Sequence, residues 1–283
     1  MIGLGDLGEP AMTQELEEWR AFMTATGASA ATIKVRIQTI QTLVRQSGYS
    51  SPVQLTRQDV LRFLSRDLRP WTRHTYFRCV TAWDRWAQEF DYTTDSITKG
   101  IPAPRKPAPV ARPLTDEQIR ALLAAPLPCR ARAYVILALF EALRVSEVAR
   151  IRGEHFDHAA GWLIIHGKGG TIRHIPVHSE VTKLAATFPT EGLWFPSPLD
   201  PTKPVKPLAV SATIKAAMQS VGIGGVPHQL RDTAATMMQR QTHDLVLTQN
   251  FLRHASPATT TKYIAISNAA LQAATQALHW TAA

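Results

Sequence analysis

The chain has 283 residues, 45% of them hydrophobic, enough to fill one large core or two ordinary ones, which excludes global disorder. No apolar run approaches the ~20 residues of a membrane span, the sequence begins without a signal-peptide pattern, and 2 cysteines are too few for a disulfide framework, so we expect a cytoplasmic protein without membrane association. The 31 Lys and Arg against 22 Asp and Glu give a formal net charge of +9, which favours a polyanionic partner without deciding between DNA, RNA and an acidic membrane.

The first hundred residues have the apolar spacing of a helical bundle. Four helices are predicted, over residues 12–25, 29–48, 56–64 and 71–90. Ser29 is a candidate N-cap for the second, and Thr56 with Asp59 has the pattern of a capping box for the third. We therefore expect a compact helical domain over residues 1–100. Its core should contain three tryptophans, Trp71, Trp83 and Trp86.

A proline-rich segment follows. Residues 101–113 contain five prolines and several basic residues. Proline fixes φ and removes the backbone donor, so this run cannot be a helix or a central strand. We predict a semi-extended basic linker between two domains.

The second domain is predicted over residues 114–283. Thr115 and Gln118 have the pattern of a capping box, and 130–141 is an apolar helix. Two strands, 161–166 and 171–177, should be joined by a glycine-rich turn that carries Lys168. Further helices are expected over 179–187, 208–220, 228–240 and 244–252, with a last one from about 266. The predicted fold class is mainly α with a small antiparallel β-sheet.

An ordered set of polar residues in this second domain fits phosphodiester chemistry. Arg144 and Arg231 are candidates to hold a phosphate, because the guanidinium fork donates two hydrogen bonds and stays charged. Arg231 follows His228 by three residues, so the two should share a helix face. Tyr263, nine residues after His254, can form a covalent phosphotyrosine.

The remaining chemistry needs proton transfer and charge balance. His228 and His254 are candidates to activate the tyrosine or to donate to the phosphate, and Lys168 is the candidate general acid for the departing 5′-oxygen. Two arginines can balance the transition-state charge without a metal. His174 and His178 lie four residues apart without a Cys or carboxylate partner nearby, so we expect no zinc site.

These motifs resemble the tyrosine recombinase family, which includes phage integrases and Xer-type recombinases. The family order of Arg, Lys, His-x-x-Arg, His and Tyr falls on Arg144, Lys168, His228, Arg231, His254 and Tyr263. Glu147 matches the acidic residue three positions after the first Arg, and would orient the site.

The resemblance implies a helical core-DNA-binding domain and a catalytic domain that clamp duplex DNA, and neither a metal nor a cofactor. It also implies a homotetramer on DNA, built from a free monomer or weak dimer, that forms 3′-phosphotyrosine intermediates and a Holliday junction. The element after the tyrosine would dock onto a neighbouring protomer, and a directionality factor is a possible partner. The short stretch before the first helix favours action at core sites without an arm-binding domain.

The sequence departs from the family pattern at two glycines. Ala142 stands two residues before Arg144 and Arg253 stands just before His254, where the family usually has Gly. Because a positive φ is unfavourable for arginine, we expect Arg253 to take an ordinary conformation and to contact a DNA phosphate.

Basic residues outside the motif set are candidate DNA contacts. They are Arg69, Arg73, Arg78, Arg85, Arg105, Lys106, Arg173 and Arg253. A solvated basic face is the competing interpretation.

Other functions stay open on the sequence alone. Each motif residue taken singly fits a surface ion pair, a solvated loop or ordinary packing. A non-catalytic DNA-binding regulator on this scaffold is disfavoured because a binder needs no nucleophile. A type IB topoisomerase is disfavoured by the small helical first domain, and a cellular Xer-like resolvase shares the same chemistry as an integrase.

Overall fold

The structure is a computed structural model that describes residues 12–108, 110–166 and 172–253. The chain forms two compact units, Met1–Ala108 and Pro109–Ala283. The fold is mainly helical with one small antiparallel sheet, as predicted. Across the described ranges, no helix has the length and apolar character needed to cross a membrane.

Within its described residues, the first unit contains four α-helices. They are α1 (Gln14–Ala25), α2 (Ala30–Ser47), α3 (Arg57–Ser65) and α4 (Pro70–Glu89). The Ser29 hydroxyl accepts from Thr32 N at the start of α2, and Thr56 and Asp59 form the predicted capping box of α3. These caps satisfy backbone N–H groups that have no partner within the helix, so local sequence defines where both helices begin.

Aromatic side chains fill the core of the first unit. Trp83 lies edge-on to Trp19, with ring centroids 5.3 Å apart, and Trp86 is buried beside them. The prediction for Trp71 was wrong, because this residue is 46% exposed. Trp71 lies in the first turn of α4, outside the buried face, and the Lys106 ammonium lies 5.6 Å from its ring centroid.

The boundary between the two units falls within the proline-rich segment 101–113. On the side of the first unit, the carbonyl of Pro104 lies 2.9 Å from His74 Nδ1. On the side of the second unit, Leu114 N donates to Thr233 Oγ1 at 2.8 Å. Each end of the segment is thus fixed to its own unit by hydrogen bonds.

The second unit contains seven α-helices and three strands within its described residues. The helices are α5 (Asp116–Ala124), α6 (Cys129–Phe140), α7 (Val145–Val148), α8 (Ser179–Ala185), α9 (Pro207–Gln219), α10 (His228–Thr242) and α11 (Leu245–Leu252). The strands are β1 (Phe156–Asp157), β2 (Trp162–His166) and β3 (Ile172–Pro176), in the order β1-β2-β3.

One face of the sheet completes the core of the second unit. Leu163 pairs with Ile175 across β2 and β3, and both are buried, as is Ile165. The apolar helix α6 packs against α8, α9 and α10. The functional candidates lie around the end of α6, the start of α10 and the end of α11.

Candidate functional site

A tight turn after α6 presents Arg144. The backbone of Ala142 is left-handed, with φ 49°, and Ala142 and Leu143 are buried. Arg144 then caps α7 with an extended backbone, and its side chain is 41% exposed. The turn therefore anchors its apolar residues in the core and leaves the arginine able to reach an external phosphate.

The carboxylate of Glu147 binds both the backbone and the side chain of Arg144. Its Oε2 accepts from Arg144 N at 2.9 Å, and its Oε1 accepts from Arg144 Nη1 at 2.7 Å. The Glu147 side chain is only 8% exposed. Burial alone raises the pKa of Glu147, but the charge of Arg253 and the bonds and charge of Arg144 outweigh it and lower the pKa overall. Glu147 is thus an ionised acceptor that fixes the direction of the Arg144 guanidinium.

Arg231 lies inside the protein. It is 1% exposed, and its guanidinium donates from Nη1 to the carbonyl of Ala142 and from Nη2 to the carbonyl of Leu252. Arg231 therefore joins the turn before Arg144 to the end of α11. A phosphate could contact this guanidinium only after the residues covering it had moved.

His228 lies in different surroundings from Arg231, although both are on α10. The His228 side chain is 57% exposed, and its Nε2 lies 3.6 Å from Oδ1 of the buried Asp232. Oδ2 of Asp232 accepts from Arg112 N at 3.5 Å. His228 is therefore accessible from outside, with a carboxylate one turn along the helix.

The expectation of an ordinary conformation for Arg253 was wrong. Its φ is 54°, in the left-handed region, and its side chain is 4% exposed. The guanidinium donates to the carbonyl of Ala142 at 3.0 Å and to Glu147 Oε2 at 3.1 Å. These inward contacts compensate for the strained backbone, and they direct the side chain away from the surface contact with DNA that we had assigned to it.

Glu141, which sequence reasoning missed, is a buried carboxylic acid at this site. It is fully buried, and its Oε1 accepts from His178 N at 2.7 Å. Burial raises the pKa of Glu141 to about 7, against the opposing effects of this hydrogen bond and of the Arg253 charge. Its position at the end of an apolar helix gave no sequence pattern that would have singled it out.

The remaining candidate DNA contacts differ in exposure. The exposed ones are Arg69, Arg78, Arg85, Arg105, Lys106 and Arg173. Arg73 instead donates to the carbonyls of Leu64 and Arg66, at 2.9 and 3.2 Å. Arg73 thus closes the loop before α4, a structural use that competes with DNA contact.

Three of the six motif residues lie outside the described residues. They are Lys168, His254 and Tyr263, together with the helix predicted from about 266. Within the described residues, hydrogen bonds join Arg144, Glu147, Arg231 and Arg253 around Ala142, while His228 pairs with Asp232. Asp232 was also missed, and its signal was the i, i+4 spacing from His228.

Comparisons with known proteins agree on one family. The model of the "Phage integrase family" matches residues 112–269. The tyrosine recombinase XerA of Pyrococcus furiosus is 27% identical over 266 residues, covering 90% of this chain and 90% of that protein.

Two solved structures are similar to this chain over 88% of its length. The integrase from mycobacterium phage Brujita is 31% identical, with a TM-score of 0.50, covering 88% of this chain and 86% of that one. A lambda integrase tetramer bound to a Holliday junction is 17% identical, with a TM-score of 0.70, covering 88% of this chain and 76% of that one.

Proposed function

Because the chain belongs to the phage integrase family, we propose that it is a site-specific recombinase that cuts and rejoins duplex DNA through Tyr263. The observation that carries this proposal is the Arg144 turn, where a buried ionised carboxylate orients a partly exposed arginine. The motif residues from Arg144 to Tyr263 all fall within the matched region 112–269. This combination favours a catalyst over a DNA-binding regulator.

In the proposed reaction, the Tyr263 oxygen attacks the scissile phosphorus. A phosphorus–oxygen bond to tyrosine forms, the bond to the 5′-oxygen breaks, and the product is a 3′-phosphotyrosine with a free 5′-hydroxyl. The tyrosine proton leaves with help from His228 or His254, and Lys168 supplies a proton to the 5′-oxygen. Attack by a 5′-hydroxyl from the partner duplex reverses these steps, so the bond energy is retained.

Arg144 and Arg231 would stabilise the negative charge on the phosphate oxygens. Arg144 is already accessible, whereas Arg231 is hydrogen-bonded inside the protein. We propose that DNA binding rearranges the residues over Arg231, so that its guanidinium gains a phosphate oxygen. The site would then carry its full positive charge only on the substrate.

The proposed function also requires a DNA-binding role for the first unit and an oligomeric form on DNA. We propose that unit 1 is a core-DNA-binding domain whose exposed Arg69, Arg78 and Arg85 contact phosphates, and that the active form on DNA is a homotetramer. The likeness to a lambda integrase tetramer supports the assembly.

Integration of a mobile element, with a directionality factor as partner, is the role we favour. A Xer-like resolvase is the second candidate, favoured by the likeness to XerA over 90% of the chain.

The decisive test of the function is trapping of the covalent intermediate. The wild-type protein, given a nicked suicide substrate that carries its core site, should form a covalent protein–DNA adduct. Tyr263→Phe should bind the same DNA and form no adduct, because it lacks the attacking oxygen. An adduct of undiminished yield in Tyr263→Phe would refute the nucleophile, and no adduct with the wild type would refute the function.

A further inference from the structure

Arg253 combines two features that are separately unfavourable. It ends α11 with a left-handed backbone at φ 54°, and it places a charged side chain in the interior with 4% exposure. The other described non-glycine residues with positive φ are Asp91, Ala142 and His243. The first and last of these are exposed and Ala142 is uncharged, so Arg253 is distinct among the described residues. A helix cap alone requires no buried guanidinium, because glycine forms the same cap without strain.

The guanidinium of Arg253 links two segments that are far apart in the sequence. Nη1 donates to the carbonyls of Glu141 and Phe251, at 3.2 and 3.0 Å. Nη2 donates to the carbonyl of Ala142 and to Glu147 Oε2, at 3.0 and 3.1 Å. One side chain therefore fixes the turn that leads to Arg144 and the end of the helix that leads to His254.

Glu147 lies between two arginines, each bound mainly to a different oxygen. Oε1 faces Arg144 Nη1, while Oε2 accepts from Arg253 and from Arg144 N. With Arg253 on Oε2, Glu147 stays ionised in a buried position and keeps one oxygen for the Arg144 side chain. Without Arg253 the carboxylate would lose one of its two charged partners, and Arg144 would be held less firmly.

We propose that Arg253 is a positioning residue that acts through Glu147 to hold Arg144 against the scissile phosphate, in place of the glycine that would only cap α11. This inference rests on the proposed recombinase function. Arg253 itself touches no DNA in this scheme. Its effect should therefore appear in the cleavage step and not in DNA affinity.

The test compares Arg253→Gly with the wild type in single-turnover cleavage of the suicide substrate. Glycine relieves the left-handed strain, so the variant should fold and bind DNA as the wild type does. Its maximal cleavage rate should fall on the order of 10-fold or more, which is the typical loss when a residue that orients a functional group is removed. Arg253→Lys, which keeps a charge, should recover part of the rate.

A double-mutant cycle tests whether Arg253 affects cleavage through Glu147. If Arg253 acts through Glu147, the loss caused by Glu147→Gln should be much smaller in the Arg253→Gly background than in the wild type. Independent, additive losses would show that Arg253 acts elsewhere and would overturn the proposal.

His243→Gly is the matched control for relief of backbone strain. His243 is an exposed left-handed residue at the end of α10, with φ 52°. Its replacement should leave cleavage unchanged. If the wild type forms no Tyr263-dependent adduct, the proposed function fails. If the wild type does form it and Arg253→Gly cleaves equally fast at equal thermal stability, only the role of Arg253 fails.

Discussion

The carboxyl group of Glu141 makes the stability of the second unit depend on pH. Burial raises the pKa of Glu141 to about 7, above the value of 4.5 for an ordinary glutamate. Between these two values the folded protein keeps a proton that the unfolded chain has released. The contribution of Glu141 to folding stability therefore falls as pH rises through this window.

We expect Glu141→Gln to remove this pH dependence. Between pH 5 and pH 8 the wild type should lose about 2 to 3 kcal/mol of unfolding free energy more than the variant does, because glutamine cannot ionise. Urea unfolding of both proteins at the two pH values measures the difference. Parallel losses in the two proteins would show that Glu141 does not titrate in this range.

Other single residues show which contacts local sequence can predict and which it cannot. The capping boxes of Thr56 with Asp59 and of Thr115 with Gln118 were predictable, because both partners lie within three residues. Most contacts of Arg253 were not, because three of its four acceptors lie more than 100 positions earlier in the chain. Arg231 was identified as a candidate, but its buried position was not predictable, because its guanidinium donates to the carbonyl of Ala142, 89 residues away.

At the scale of elements, α11 connects the described part of the site to His254. The helix has only 8 residues and is capped by Asp244, whose Oδ1 accepts from Val246 N at 2.7 Å and from Leu247 N at 3.0 Å. So short a helix has no stability of its own and depends on its cap and its packing. Its last carbonyl, that of Leu252, is an acceptor for Arg231.

Asp244→Ala should therefore destabilise the second unit by about 1 kcal/mol, through loss of the N-cap hydrogen bonds. Asp244→Asn is the matched control, because its amide oxygen can cap the helix equally well while lacking the charge. Chemical denaturation of the two variants compares them. Equal stability of Asp244→Ala and the wild type would show that packing alone holds α11.

The element types were largely predictable, and the surroundings of individual side chains were less so. The spacing of apolar residues predicted the four helices of the first unit and the two longer strands of the second. The helical and the strand periodicity are both local properties of the sequence. Trp71 shows the difference, because aromatic composition suggested the core and its place in the first turn of α4 left it exposed. Lys168 and Tyr263, which complete the predicted site, lie outside the described residues.

At the scale of the whole molecule, the net charge of +9 should dominate the affinity for DNA. Lysine and arginine that neutralise phosphates release condensed counterions, so log K should fall linearly with the logarithm of the salt concentration. Arg78 and Arg85 lie exposed on α4 and are the candidates in the first unit that this dependence can test.

Arg78→Gln and Arg85→Gln should each reduce the slope of that line by about 0.9, the value for one phosphate contact on duplex DNA. Arg120→Gln is the control, since Arg120 is also exposed but is paired with Glu117 on α5. Binding titrations over a range of salt concentrations give the slopes. An unchanged slope in the α4 variants would place the DNA contacts on other residues.

The hydrogen bonds around Ala142 also make substitutions at positions 141 and 253 depend on each other. Loss of Arg253 alone would leave Glu141 buried without the cation that favours its ionisation. Positions 141 and 253 should accordingly be epistatic, each tolerating substitution in a way that depends on the residue at the other.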